Sequence, residues 1–126
     1  MGVKYKSVAK KNPRNAEDIK YYIQQVRNET IGRREFEVAI IEKTALSKAE
    51  ARGVLVTIAD VIREELLRGN AVKLEDLGTF SLRLKSEGAE TPEEVTANKL
   101  KNVSVGYRPS GELVESIQKI KLEKTE

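Results

Sequence analysis

The residues best placed to do chemistry in this chain are cations. Arg83 and Lys85 lie two apart in an alternating run, so both fall on one face of a strand, and Lys99, Lys101 and Arg108 lie on or near a second such run. Lys4, Lys6, Lys10, Lys11 and Arg14 form another cluster near the start. Rows of ammonium and guanidinium groups can neutralise the phosphates of a polyanion and release its counterions without reading a base. The bland alternative is a solvated sheet face whose charges prevent edge pairing.

The missing residue types narrow the field. Among 126 residues there is no Cys, His or Trp. Nucleophilic triads, thiolate chemistry and zinc motifs therefore have nothing to use, and no catalytic residue, metal, cofactor or small-molecule substrate is expected. Glu87, Glu90, Glu93 and Glu94 cluster without the Asp/Asn-Gly spacing of a calcium loop. Six aromatic residues are too few for a broad base-stacking platform. No run of about 18 apolar residues suggests a membrane span, and no secretory start is visible, so a cytoplasmic location is expected. At 39% hydrophobic and 34% charged, the chain has material for one modest core under a highly charged surface. Its net charge of +3 hides a split: residues 1–34 hold nine Lys/Arg against Glu17, Asp18 and Glu29, and the rest sum to −3.

These cations need elements to hold them. Val3–Ala9 alternates as a short strand, and Asn12-Pro13-Arg14-Asn15 has turn chemistry. Ile19–Arg27 fits a helix through Tyr22, Ile23 and Val26, or a strand through Tyr21 and Ile23. Thr30 is placed to cap a helix over Arg34–Thr44, with Phe36, Ala39, Ile40 and Lys43 on one stripe. Ser47 and Glu50 have capping-box spacing and open a longer helix that stops near Leu67–Arg68, before Gly69-Asn70. Its middle, Gly53–Ile62, is polar only at Thr57 and Asp60, which calls for a partner subunit to cover it. Ala71–Leu77, Thr79–Lys85 and Lys101–Arg108 then read as strands, with Phe80, Leu82, Leu84, Val103, Val105 and Tyr107 toward the core. The excursion at 86–98 is polar and acidic. Ser110 can cap a last helix through Leu113, Ile117 and Ile120, and the tail 121–126 is expected to fray.

Three sequence blocks together resemble the bacterial histone-like HU/IHF family of DNA-bending dimers. They are Leu46-Ser47-Lys48-Ala49-Glu50-Ala51, Val72-Lys73-Leu74-Glu75-Asp76-Leu77-Gly78-Thr79-Phe80, and Tyr107-Arg108-Pro109 leading to Leu113, within residues 34–121. The opening Val3-Lys4-Tyr5-Lys6 with Lys11-Asn12-Pro13 is similar to the longer HU-related proteins of the Bacteroides group. The resemblance implies an α+β, HU/IHF-like homodimer. Each chain would have two N-terminal helices, a three-stranded antiparallel sheet with a β-arm excursion, a short C-terminal helix and a basic N-terminal extension.

Expected boundaries are 1–30 for the extension, 31–121 for the DNA-binding and dimerisation domain, and 122–126 for the tail. The implied partner is double-stranded DNA in the bacterial nucleoid. Arg83, Lys85, Lys99, Lys101 and Arg108 of the saddle, with Lys4, Lys6, Lys10, Lys11 and Arg14, would contact phosphates. The family's arm-tip Pro wedge has candidates in Pro92 and Pro13. The sequence departs from the family where the basic R-x-G-R-N-P-x-T-G-E arm is replaced by Ser86–Glu94, with four acids and no cation, and where P-G-K becomes Pro109-Ser110-Gly111. Weaker DNA bending is the expected consequence, and a dimeric scaffold that binds another protein is the alternative.

Overall fold

The computed structural model describes residues 2–125. In chain order the elements are β1 (Val3–Asn12), β2 (Asn15–Val26), α1 (Arg33–Lys43), α2 (Lys48–Leu67), β3 (Val72–Leu74), β4 (Gly78–Ser86), β5 (Leu100–Pro109), α3 (Gly111–Ser116) and β6 (Leu122–Lys124). They form two units, one running to Phe36 and resuming at Ile117, the other Glu37–Ser116. Met1 and Glu126 lie outside the described residues.

The first unit is a three-stranded sheet in the order β2-β1-β6. Pro13 and Arg14 make the turn between β1 and β2. Asn12 Oδ1 accepts from the Arg14 N–H at 2.9 Å, and Asn15 Oδ1 accepts from the Glu17 N–H at 3.1 Å, the local bonds that suit asparagine to turns. The segment Ile19–Arg27, open between helix and strand, is strand through Val26. The ladder with β1 runs from Lys4↔Val26 to Lys11↔Ile19 and satisfies its backbone. The tail does not fray. β6 pairs parallel with β1 from Val3↔Leu122 to Tyr5↔Lys124, and the Thr125 N–H donates to Tyr5 O at 2.8 Å. An unpaired strand edge with free carbonyls offers the tail more than solvent alone does.

The helix signals are local, and α1 begins in the first unit and runs into the second. α1 begins at Gly32 rather than Thr30: Gly32 O accepts from the Phe36 N–H at 3.0 Å, and Glu35 Oε2 accepts from the Gly32 N–H at 3.1 Å. The expected stripe is also revised, since Phe36 is 52% exposed and Glu37 is buried. Glu37 shares a hollow with Lys48 and Arg52, cationic neighbours that suit a buried carboxylate. α2 carries the full capping box, with the Glu50 N–H on Ser47 Oγ at 3.2 Å and the Ser47 N–H on Glu50 Oε1 at 3.0 Å. Gly69, at φ +87°, ends it. Ala51 and Leu66 are buried and Leu55 and Ile62 half-buried, which makes one helical stripe facing the unit's own chain.

The sheet β3-β4-β5 is antiparallel throughout. β3 is only three residues long, because the Leu77 N–H turns back to Leu74 O at 3.1 Å. At Gly78 φ is +144°, and a Cβ would overlap Arg108 O and stand 2.9 Å from Tyr107 Cε1, so only glycine fits where β4 leaves the turn. Phe80 and Tyr107 stack at 5.1 Å, and the Tyr107 hydroxyl donates to Leu77 O at 2.8 Å. Ser110 caps α3 through the Leu113 N–H at 3.1 Å, but the helix stops at Ser116, short of Ile117 and Ile120.

Ala51 and Leu66 are the only buried hydrophobic residues among those described. A second α2 stripe (Val54, Ile58 and Val61) remains exposed, as do Leu84, Val103 and Val105 on the sheet.

Candidate nucleic-acid interface

Alternation sorts the sheet of the second unit into two faces. Phe80, Leu82 and Leu84 pair across the ladder with Tyr107, Val105 and Val103. The other face carries Thr79, Ser81, Arg83 and Lys85 on β4, opposite Arg108, Gly106, Ser104 and Asn102 on β5. Every side chain on that face is polar, its three charges are all positive, and none of the three forms an ion pair among the described residues. Donors predominate: two guanidinium forks, an ammonium, three hydroxyls and one amide. Thr79, Ser81, Arg83, Gly106, Tyr107 and Arg108 line a hollow of about 310 Å³ within it.

Lys101 and Lys99 are not members of this row. The register moves from Lys85↔Asn102 to Ser86↔Leu100, which leaves Lys101 as the extra residue of a bulge. Lys99 ends a 3₁₀ turn and is half-buried, and its carbonyl accepts from the Glu87 N–H at 2.8 Å. That bond closes the neck of the excursion.

The excursion is not a β-arm. Pairing ends at Ser86↔Leu100, and the loop beyond holds two 3₁₀ turns, Pro92–Glu94 and Ala97–Lys99, with no strand. Pro92 opens the first turn, where its fixed φ suits the start of a helix. Four carboxylates and no cation within residues 86–98 give the chain no electrostatic reason to extend along a phosphate backbone.

The sheet of the first unit is also two-faced. Lys4, Lys6, Val8 and Lys10 on β1 share a face with Val26, Gln24, Tyr22 and Lys20 on β2. Lys10 Nζ sits 5.4 Å from the centre of the Tyr22 ring, a cation–π contact on that face. Lys20, absent from the sequence-derived set, joins the row because it lies opposite Lys10. Lys11 belongs to the other face, beside the bulge, and Arg14 and Pro13 occupy the exposed turn. Tyr5, Ile19, Tyr21 and Ile23 make that second face largely apolar.

Comparison with known proteins assigns the architecture. A family model described as an HU domain fused to wHTH, Ig or a glycine-rich motif matches residues 1–124. The chain belongs to the histone-like HU/IHF family. Among curated relatives, this HU chain is 35% identical over 83 residues to the integration host factor subunit alpha of Colwellia psychrerythraea, covering 63% of the chain and 84% of the relative. The Vibrio cholerae subunit alpha is 33% identical over 92 residues, 68% of the chain and 90% of the relative.

Two solved structures share the fold. A Bacteroides vulgatus protein given a provisional DNA-binding role superposes with TM-score 0.71 at 14% identity, over 97% of this HU chain and 47% of its own length. The HU chain thus spans about half of that protein. Anabaena HU, crystallised with DNA, superposes with TM-score 0.53 at 21% identity, over 68% of this chain and 95% of its own. These two curated relatives match about two thirds of the HU chain, whereas the family model takes in residues 1–124, the β1–β2 hairpin included.

Alternation alone could find Thr79 and Ser81 as neighbours of Arg83. Lys20 and Gly106 needed the strand register, which no local pattern carries.

Proposed function

We propose that this HU-family chain is an architectural, nucleoid-associated protein of the bacterial cytoplasm that binds duplex DNA as a homodimer, with little base reading. The observation that carries the proposal is the donor-rich outer face of β4 and β5, where Arg83, Lys85 and Arg108 have no ion-pair partner among the described residues and lie on a wholly polar surface. Phosphate oxygens supply the anionic acceptors that such a face lacks. Lys4, Lys6, Lys10 and Lys20 supply a second phosphate-contacting surface, with Lys11 and Arg14 at its turn end and Lys99 and Lys101 flanking the saddle. The description of Anabaena HU as a DNA complex supports the reading.

Homodimerisation is supported by the exposed stripe Val54, Ile58 and Val61 on α2 and by the apolar sheet face. Fully burying each such side chain is worth about 1.5–3 kcal/mol, and the single chain leaves Val54, Ile58 and Val61 between 42% and 48% exposed. Bending is proposed to be weaker than in relatives with basic arms. The acidic, strandless loop 87–99 holds Pro92 in a 3₁₀ turn instead of presenting it at the tip of a ribbon. Pro13 occupies a hairpin turn between two asparagines and is the second wedge candidate.

Fluorescence anisotropy on a duplex of about 30 bp across a salt series tests the proposal. A slope of log K against log salt of several times −0.9 is expected, with tighter binding to a nicked duplex that bends easily. A folded dimer that ignores DNA at low salt would overturn the proposal and favour the protein-binding scaffold.

A further inference from the structure

We propose that the hollow on the outer face of β4 and β5 is a discrete site for one DNA backbone phosphate, and that Gly106 is the residue that positions Arg83 within it. The inference rests on the DNA-binding reading and adds its stereochemistry.

The ladder sets the geometry. Thr79 lies opposite Arg108, Ser81 opposite Gly106, and Arg83 opposite Ser104. A long side chain at 83 would ordinarily stand off the sheet above Ser104. Instead it crosses to the neighbouring pair. A Cβ built on Gly106 would overlap Arg83 Nε and stand 3.0 Å from Cζ and 3.1 Å from Cδ. The Cδ–Nε–Cζ end of Arg83 therefore occupies the space a side chain at 106 would take, on the side of the sheet strip that leads to Arg108. Any side chain at 106 would lift it away.

The consequence is convergence. Arg83 and Arg108 line one hollow with Thr79 and Ser81, and no acidic residue lines it. Neither arginine has an ion-pair partner among the described residues. Two like charges directed to one hollow repel unless an anion lies between them. Planar forks and hydroxyl donors match a phosphodiester, whose two free oxygens accept several hydrogen bonds and donate none. Lys85, further along the strand, lies outside the hollow and acts as a diffuse charge.

The test uses the full chain and the 30 bp duplex, with circular dichroism and dimer mass checked for every variant. Arg83→Ala removes one phosphate contact from each protomer of the dimer and is expected to make the salt slope shallower by up to about 1.8. Arg83→Lys keeps the charge and the slope but loses about tenfold in affinity, because an ammonium has no fork. Gly106→Ala is expected to weaken binding by about tenfold as well. The added methyl meets the end of a flexible side chain rather than backbone, so the sheet survives.

The decisive measurement is the cycle. Gly106→Ala should cost nothing further in the Arg83→Ala background, because it acts only through that side chain. Full affinity in Gly106→Ala, or losses that add in the double variant, would overturn the positioning role. Wild-type affinity in Arg83→Lys would overturn the fork geometry independently of how Gly106→Ala folds. An absence of salt-dependent binding by the wild type would remove the DNA-binding reading itself, an outcome distinct from these.

Discussion

At Ser47 and Glu50 two reciprocal hydrogen bonds satisfy backbone donors that the start of α2 leaves open. The Glu50 carboxyl is held below the ordinary glutamate range, first by the Ser47 backbone N–H and then by the Ser47 side chain. A group whose folded pKa is depressed stabilises the fold above its unfolded value and loses that contribution as pH falls through the folded one. The relevant window lies below about pH 4.3. Thermal melts at fixed protein concentration should show the wild type losing stability there more steeply than Glu50→Gln. At neutral pH, Ser47→Ala should cost about 1 kcal/mol by denaturant unfolding. Equal acid sensitivity in Glu50→Gln would show that the cap does not titrate with folding.

The two sheets are built differently. In the first, alternation places Lys4, Lys6, Lys10 and Lys20 on one face and Tyr5, Ile19, Tyr21 and Ile23 on the other, so a basic face follows from register. If that face meets DNA, converting Lys4, Lys6, Lys10 and Lys20 to Ala should flatten the salt slope by up to about 0.9 per lysine. Lys43 and Lys48, on the helices, serve as controls whose replacement should leave the slope unchanged. In the second sheet, the ladder stops at Ser86↔Leu100 and the loop beyond holds two 3₁₀ turns. Pro92→Ala should therefore leave the end-to-end FRET of a bent duplex as it is in the wild type. A clear loss of bending in that variant would make Pro92 a wedge after all.

Taken whole, the molecule is uneven in both charge and burial. The unit containing the β1–β2 hairpin and the tail holds twelve basic and six acidic residues, and the other unit eleven and fourteen. The second unit is thus acidic overall, yet it carries an outer sheet face with only positive charges. The acids lie elsewhere, four of them in the loop after β4. Many of its apolar residues are exposed, Val56 at 50% and Leu84 at 68%, which is the basis of the proposed dimer. Light scattering should give a mass twice the 14.1 kDa of one chain. Ile58→Glu, which sets a charge in the middle of the exposed α2 stripe, should abolish the dimer and cooperative unfolding together. A folded, cooperative monomer of either protein would refute the dimer.

What the residues determined unaided was local. The capping box at Ser47 and Glu50, the stop at Gly69 and the alternation of β4 and β5 all arise from neighbours within a turn or a strand, where chain entropy leaves few alternatives. The saddle cations Arg83, Lys85 and Arg108 were legible for that reason, and so was the need to cover α2.

Tertiary structure alone decided the rest. Ile19–Val26 fits two periods equally, and only pairing with β1 makes it a strand. The tail becomes β6 through a bond from Thr125 to Tyr5, 120 residues away in sequence, which no window can register. Lys20 joins Lys10, Lys101 leaves the row at a bulge, and Arg83 lies across Gly106 because of which residues the ladder sets opposite one another. Pairing between distant segments is settled by hydrogen bonds and burial summed over the whole fold, and local periodicity carries no information about it.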